Sequence, residues 1–419
     1  MKSWIESANT GETDFPLQNL PCGVFSPLES PDEPRCGVAI GDFVLDVKRL
    51  EADGILSLYP RHLFQMPSWN ALMAEGPATW RLLRESLTTL LAECSGNPER
   101  LEKYLFRMSD CTLHMPIQVM GYTDFYAGRH HATNVGAMFR GPENALPPNW
   151  LHIPIGYNGR ASSVVVSGTD VRRPWGQLKG ADHDSPAFLP SRRFDFELEL
   201  GAVVGQPSEG MVSVERADEM IFGYVLLNDW SARDIQAWEY QPLGPFQAKA
   251  TATTISPWIV QKAALEPFRA SGQPRDHALL PYLKEPGPMH YDLTLQATLA
   301  PKGKPPTTIT RTNARELYYS AAQQLAHHTT AGAPMEVGDL LGSGTISGPD
   351  RDGRGSLLEL SWGGKEPLTL DTGEARTFLE DGDTLTLSGF AQGDGYRIGF
   401  GDCTGTVIPA HENPVGAGR

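Results

Sequence analysis

The stretch Phe194-Asp195-Phe196-Glu197-Leu198-Glu199-Leu200 constrains this chain more than any other, because apolar side chains alternate there with three carboxylates. A period of two is the repeat of a β-strand, so the segment predicts a strand with one apolar face and one acidic face. Neighbours on one face of a strand lie about 6.5–7 Å apart. Carboxylates that close raise one another's pKa unless a positive group stands between them. Taken alone, the heptapeptide favours the solvated outer face of an antiparallel strand. The competing reading is a cation site, since Glu197 and Glu199 are hard oxygen donors of the kind that hold Mg²⁺ or Ca²⁺.

The rest of the chain narrows the choice. With 419 residues it exceeds one typical core, so two domains, or three, are expected. Gly (43) and Pro (34) are frequent, which points to many turns and a strand-rich fold. No apolar run is long enough to span a bilayer, and the first residues form no apolar signal segment, so a cytoplasmic protein is expected. The net charge of −15 disfavours nucleic acid and anionic membranes as partners. It leaves room for a small anionic substrate held by local Arg and Lys. The five cysteines are widely spaced and form no Cys-x-x-Cys, which argues against a disulfide framework or a zinc site.

In residues 1–118, Arg35–Ile40 and Phe43–Asp46 flank Gly41-Asp42 and read as a tight hairpin. Pro77 suits the first position of a helix, and Trp80, Leu83, Leu87, Leu91 and Cys94 follow at helical spacing as a core stripe. A second short helix is expected at Pro98. The segment Tyr122–Asn134 reads as a helix with an irregular start, which would put Asp124 and His131 on one face. A structural histidine is the default there. Val164–Val166 reads as a short strand and Ile221–Asn228 as a buried one, ended by Asp229. Asp229 is then either a site residue at a strand end or the cap of a helix carrying Arg233, Gln236 and Tyr240 on one face. Residues 262–290 read as a surface excursion. Asn313 and Glu316 resemble a capping box opening a helix through Leu325, with His327 and His328 complementing its dipole. The loop Gly342–Gly348 offers backbone N–H groups to an oxyanion or carboxylate. Glu359 falls within the apolar run Leu357–Leu360, read as a strand, and needs water or a partner such as a histidine. Leu379–Phe390 and Tyr396–Phe400 read as closing strands.

These motifs, in order, resemble the fumarylacetoacetase family over nearly the whole length. The resemblance rests on Asp14–Phe25, Tyr122–Tyr126, His131–Gly136, Gly159–Ser163, Asn228–Gln236, Thr254–Trp258, Ser343–Gly348 and Gly393–Arg397. It departs from the family pattern at His130, where Gln is expected, and at Asn158, where His is expected.

The resemblance implies a mainly β fold with some α. An N-terminal SH3-like barrel (1–118) would precede a C-terminal mixed β-roll or β-sandwich catalytic domain (119–419). It implies a homodimer and a divalent cation, Mg²⁺ or Ca²⁺. By matching motif, Asp124, Glu197, Glu199 and Asp229 would be ligands, with Lys249 and Thr253 beside the metal. His131 would be the general base, oriented by Glu359. Tyr126, Arg140, Tyr157, Gln236, Tyr240 and Thr345 would contact substrate, and Arg233 would assist. The expected reaction is hydrolysis of a carbon–carbon bond in a 1,3-diketo acid, with Lys249, Arg233 and Gln236 stabilising the tetrahedral alkoxide. Two alternatives stand beside it. One is a related hydrolase or decarboxylase of acylpyruvate type. The other is a non-catalytic protein with a structural Ca²⁺, against which the pairing of His131 with Glu359 argues.

Overall fold

A computed structural model describes residues 1–96, 98–180, 182–413 and 416. The first five strands form one antiparallel sheet. Its order is Leu105–Arg107, Phe43–Asp46, Arg35–Ile40, Cys22–Pro27, Cys111–His114. The expected hairpin is present, with Ile40 opposite Phe43 and Gly41 at φ 53°, a conformation that glycine adopts without a Cβ penalty. The helix Pro77–Leu91 starts at its proline and buries Trp80, Leu83, Leu87 and Leu91. Cys94 lies beyond its end and is exposed, so it does not belong to the core stripe. Pro98–Arg100 makes only a 3₁₀ turn.

A mixed sheet of eight strands carries the carboxylates. Along its main path lie Gly156–Asn158, Tyr122–Phe125, Leu340–Gly342, Leu198–Val204, Ile221–Asp229, Thr253–Ile255 and Val164–Val166, and Val260–Gln261 pairs with Ile221–Asp229. Both its faces are covered. Leu200, Ala202, Tyr224 and Leu226 pack into a core shared with a second, six-stranded sheet that includes Thr294–Ala300 and Thr384–Gln392. Val203, Val225, Leu227 and Leu340 pack instead against the N-terminal unit, where Trp80 meets Phe222 edge-on at 5.1 Å. Residues 194–200 are therefore buried throughout, and the solvated acidic face does not exist. The heptapeptide is also not one strand: Phe194–Asp195 pairs with Ser231–Ala232, the ladder breaks, and Leu198–Val204 resumes in the large sheet.

Four further expectations are corrected. Tyr122–Phe125 is a strand, paired in parallel with Leu340–Gly342, and the helix begins only at Arg129 and runs to Arg140. The alternation of buried Tyr122 and Asp124 suits a sheet position, and sheet pairing overrides helical spacing there. Leu357–Leu360 is one helical turn capped by Ser356, not a strand. Asn313 caps only a 3₁₀ turn, while the true capping box is Ser320 with Gln323, opening the helix Ala321–His328. The segment 262–290 is not wholly a surface excursion, because Leu265, Leu283 and His290 are buried. The strands expected late in the chain run Thr384–Gln392 and Arg397–Gly399.

Candidate active site

Period-two geometry explains why the carboxylates meet. Glu199 shares the strand face of Val203, Asp229 that of Val225 and Leu227, and Asp124 that of Tyr122. Gly342, in register with Asp124, lies between the strands bearing Asp124 and Glu199, and a Cβ there would stand 2.6 Å from Asp124 Oδ1 and 3.0 Å from Glu199 Oε2. Glu197, in the break between strands, supplies the fourth acid. One oxygen from each of Asp124, Glu197, Glu199 and Asp229 falls within 4.8 Å of the others, and all four residues are buried.

The electrostatics of this cluster are unbalanced. Lys249 Nζ lies 2.5 Å from Glu197 Oε2 and 2.6 Å from Asp229 Oδ2. Burial disfavours its charge, but Asp229 and Glu197 more than compensate and raise its pKa. A protonated amine has no lone pair to give a metal, and in that state Lys249 offsets the charge of the cluster. Burial also raises the pKa of Glu197, yet Lys249 and Arg233 outweigh it and hold the group ionised. Asp124 and Glu199 lack such partners, and burial followed by repulsion from the other acids pushes both well up. Among the described residues, Asp124 Oδ1, Glu199 Oε1 and the Tyr122 hydroxyl are buried with no hydrogen-bond partner. Unpaired buried oxygens converging from hard carboxylates match the donor set of a divalent cation. The cluster therefore fits the implied metal. Tyr157 donates to Asp229 Oδ2 (2.9 Å), Thr253 to Asp229 Oδ1 (3.2 Å), and the Gly344 amide to Glu199 Oε2 (2.9 Å). The glycine loop thus does hold a carboxylate, one from its own chain.

His131 sits in the first turn of the helix Arg129–Arg140, with Gly128 before it. Its Nδ1 lies 2.6 Å from Glu359 Oε2, and its Nε2 lies 3.3 Å from Thr345 Oγ1 and 3.9 Å from Glu197 Oε1. Asp124, expected on the same helix face, belongs instead to the acidic cluster. Glu359 also accepts from Asn134 (2.9 Å), Ser347 (2.9 Å) and Ser356 (2.8 Å). Burial raises the Glu359 pKa, but His131, Asn134 and Ser356 outweigh it and leave it below the usual value. An ionised Glu359 fixes the proton on Nδ1 and leaves Nε2 as an acceptor, with the Thr345 hydroxyl 3.3 Å away.

A cavity of about 350 Å³ opens on this chemistry. Tyr126, Arg140, Tyr157, Gln236, Tyr240 and Thr345 all line it, together with Asp124, Glu197, Arg233 and Lys249. Glu199, Asp229, Thr253, His131 and Glu359 stand behind that wall. Arg140 is tethered by Asn144 O (3.1 Å) and Ala145 O (2.6 Å). Arg233 pairs with Glu197 Oε1 (2.7 Å) and donates to Gln236 (3.2 Å), and its Nη2 is buried without an acceptor. A larger cleft of about 790 Å³ beside the helix Pro77–Leu91 includes none of these residues. Sequence reasoning missed the apolar wall of Val135, Phe139 and Leu243, and the supports Asn134, Ser347 and Ser356. Asn134 lies one helical turn after His131, and Ser356 three residues before Glu359, so local spacing could have flagged both.

Residues 18–116 match the family described as Fumarylacetoacetase N-terminal, and residues 121–408 match Fumarylacetoacetate (FAA) hydrolase C-terminal. Relatives named fumarylacetoacetase include one from Dictyostelium discoideum, 48% identical over 98% of this chain and 98% of its own length. Another, from Homo sapiens, is 47% identical over 95% of this chain and 97% of its own. Among solved structures, the fumarylacetoacetate hydrolase of Exiguobacterium antarcticum superposes with a TM-score of 0.53 at 15% identity, covering 93% of this chain and 99% of that one. At that identity the likeness speaks for the fold alone. Two matching domains and relatives nearly half identical from end to end place this chain in the fumarylacetoacetase family of hydrolases.

Proposed function

We propose that the protein hydrolyses the carbon–carbon bond of 4-fumarylacetoacetate to fumarate and acetoacetate, the last step of tyrosine and phenylalanine breakdown. The observation that carries this reading is the His131–Glu359 pair set against the wall formed by the carboxylate cluster, on a cavity of about 350 Å³. A divalent cation, Mg²⁺ or Ca²⁺, held by Asp124, Glu197, Glu199 and Asp229 would supply Lewis-acid polarisation of the diketo oxygens. Arg140 and Tyr126 would orient a terminal carboxylate by charge-assisted hydrogen bonds. His131 Nε2 takes a proton from water, and the resulting hydroxide adds to the carbonyl next to the alkene. Glu359 stabilises the imidazolium, as the acid of a catalytic triad does. Lys249, Arg233 and Gln236 face the alkoxide that forms. When the carbon–carbon bond breaks, its electron pair leaves with the acetoacetate carbon, which takes up the proton stored on His131.

The catalytic work falls to residues 119–419, with residues 1–118 as a supporting unit. In favour of this division, every residue lining the cavity lies between Asp124 and Leu358. A cytoplasmic homodimer completes the proposal. Leu243 (94% exposed) and Phe246 (68% exposed) offer apolar surface for a second copy. The test is loss of fumarylacetoacetate absorbance with Mg²⁺ or Ca²⁺ and then with EDTA, followed by sedimentation to read the mass. Metal-dependent formation of fumarate and acetoacetate is expected. Absence of turnover by metal-loaded protein, or turnover of other diketo acids only, would overturn the substrate.

A further inference from the structure

Asp195 is the one carboxylate of the acidic heptapeptide that joins neither the cation cluster nor the cavity wall. It is fully buried. Its Oδ1 accepts from the amides of Phe196 (2.8 Å) and Leu357 (2.8 Å). Its Oδ2 accepts from the Leu358 amide (2.9 Å) and from Arg233 Nε (2.9 Å). A buried charge so fully satisfied fixes the geometry of everything bonded to it.

Those donors lead to two different arms of the site. Leu357 and Leu358 open the single helical turn that carries Glu359, and Glu359 holds His131 by its Nδ1. The first amides of a helix have no partner within the helix, and Asp195 accepts from both of these. Arg233 reaches from the same carboxylate to Glu197 and Gln236 and lines the cavity. Asp195 itself sits on the strand Phe194–Asp195, whose neighbours Phe194 and Phe196 are both fully buried.

We propose that Asp195 is a positioning residue that ties the His131–Glu359 pair and Arg233 to one rigid point, so the base and the cation facing the alkoxide keep a fixed separation. The kinetic part of this proposal rests on the hydrolytic reading above; the structural part does not.

Asp195→Asn keeps the shape but offers one acceptor oxygen where two serve four donors. A displacement of about 1 Å in each arm is expected to lower kcat about 100-fold. KM should change less than kcat. Built on His131→Gln or on Arg233→Met, the same change should cost only about tenfold or less, because one arm is already lost. A full loss in both backgrounds, or unchanged kcat in the folded single variant, would overturn the proposal. Should Asp195→Asn not fold, amide exchange in Arg233→Met decides. Leu357 and Leu358 should exchange about tenfold faster than in the parent, because their acceptor has lost one of its ties. Equal rates would overturn it. Exchange needs no substrate, so it reads out even if fumarylacetoacetate is not turned over.

Discussion

Replacing Glu359 by Gln removes one charge and almost no volume. Oε2 accepts from His131, Ser347 and Ser356, whereas Oε1 accepts only from Asn134. A glutamine therefore turns its oxygen to the three donors and its NH₂ to Asn134, whose half-buried amide can rotate to offer its own oxygen. The His131 tautomer survives, and stability changes by no more than about 1 kcal/mol. In the proposed reaction, what disappears is the negative charge beside the imidazolium that would form during proton transfer. Two unit charges about 4 Å apart at an effective dielectric of about 20 attract by about 4 kcal/mol. The neutral hydrogen bond that remains returns about 1 kcal/mol. The difference, about 3 kcal/mol, corresponds to a fall in kcat of about 150-fold. KM should be nearly unchanged, because the pair acts after substrate is bound. The assay is the initial rate of fumarylacetoacetate loss at saturating substrate, with a thermal melt of the same sample. A kcat within about threefold of the parent, with the melt unchanged, would refute the charge-stabilising role of Glu359.

Gly342→Ala places its Cβ 2.6 Å from Asp124 Oδ1 and 3.0 Å from Glu199 Oε2. It should weaken Mg²⁺ and Ca²⁺ binding about 10- to 100-fold in calorimetric titration, and unaltered affinity would argue against the cation site. Arg140→Met removes the guanidinium tethered at Asn144 and Ala145, and should raise KM about 10- to 100-fold with a smaller effect on kcat. Asp218 accepts from Lys262 (2.8 Å) and Arg269 (2.7 Å); burial raises its pKa, but these partners outweigh it and leave it below its ordinary value of 3.8. The pair thus stabilises the fold above that value and loses its contribution as pH falls through the lower folded-state pKa. Asp218→Asn should cost about 1–3 kcal/mol at neutral pH, a deficit that closes in acid melts; a deficit independent of pH would show that the charge is not the cause.

Local pattern made much of this protein legible. The hairpin at Gly41, the helix starting at Pro77 and the strand ending at Asp229 each depend on neighbours in the chain, and each formed as its residues dictate. Tyr122–Phe125 and Leu357–Leu360 did not follow their local pattern. Both are short, and a segment of four residues takes whichever ladder or cap its surroundings supply. Sheet pairing with Leu340–Gly342 claimed the first, and the amides held by Asp195 shaped the second.

The sequence by itself determined which residue types were available: alternating acids, a histidine, an arginine face at helical spacing, and motifs shared with a family. Only the tertiary structure decided their partners. Glu359 is 228 positions from His131, and Asp195 is 162 positions from Leu357. The spacing of such pairs along the chain carries no information about their distance in space. The acidic strand illustrates the difference. Its period was readable, but whether the acids met water or one another depended on what covered the sheet. Burial on both faces turned a pattern compatible with solvent into a cluster of carboxylates that calls for a cation.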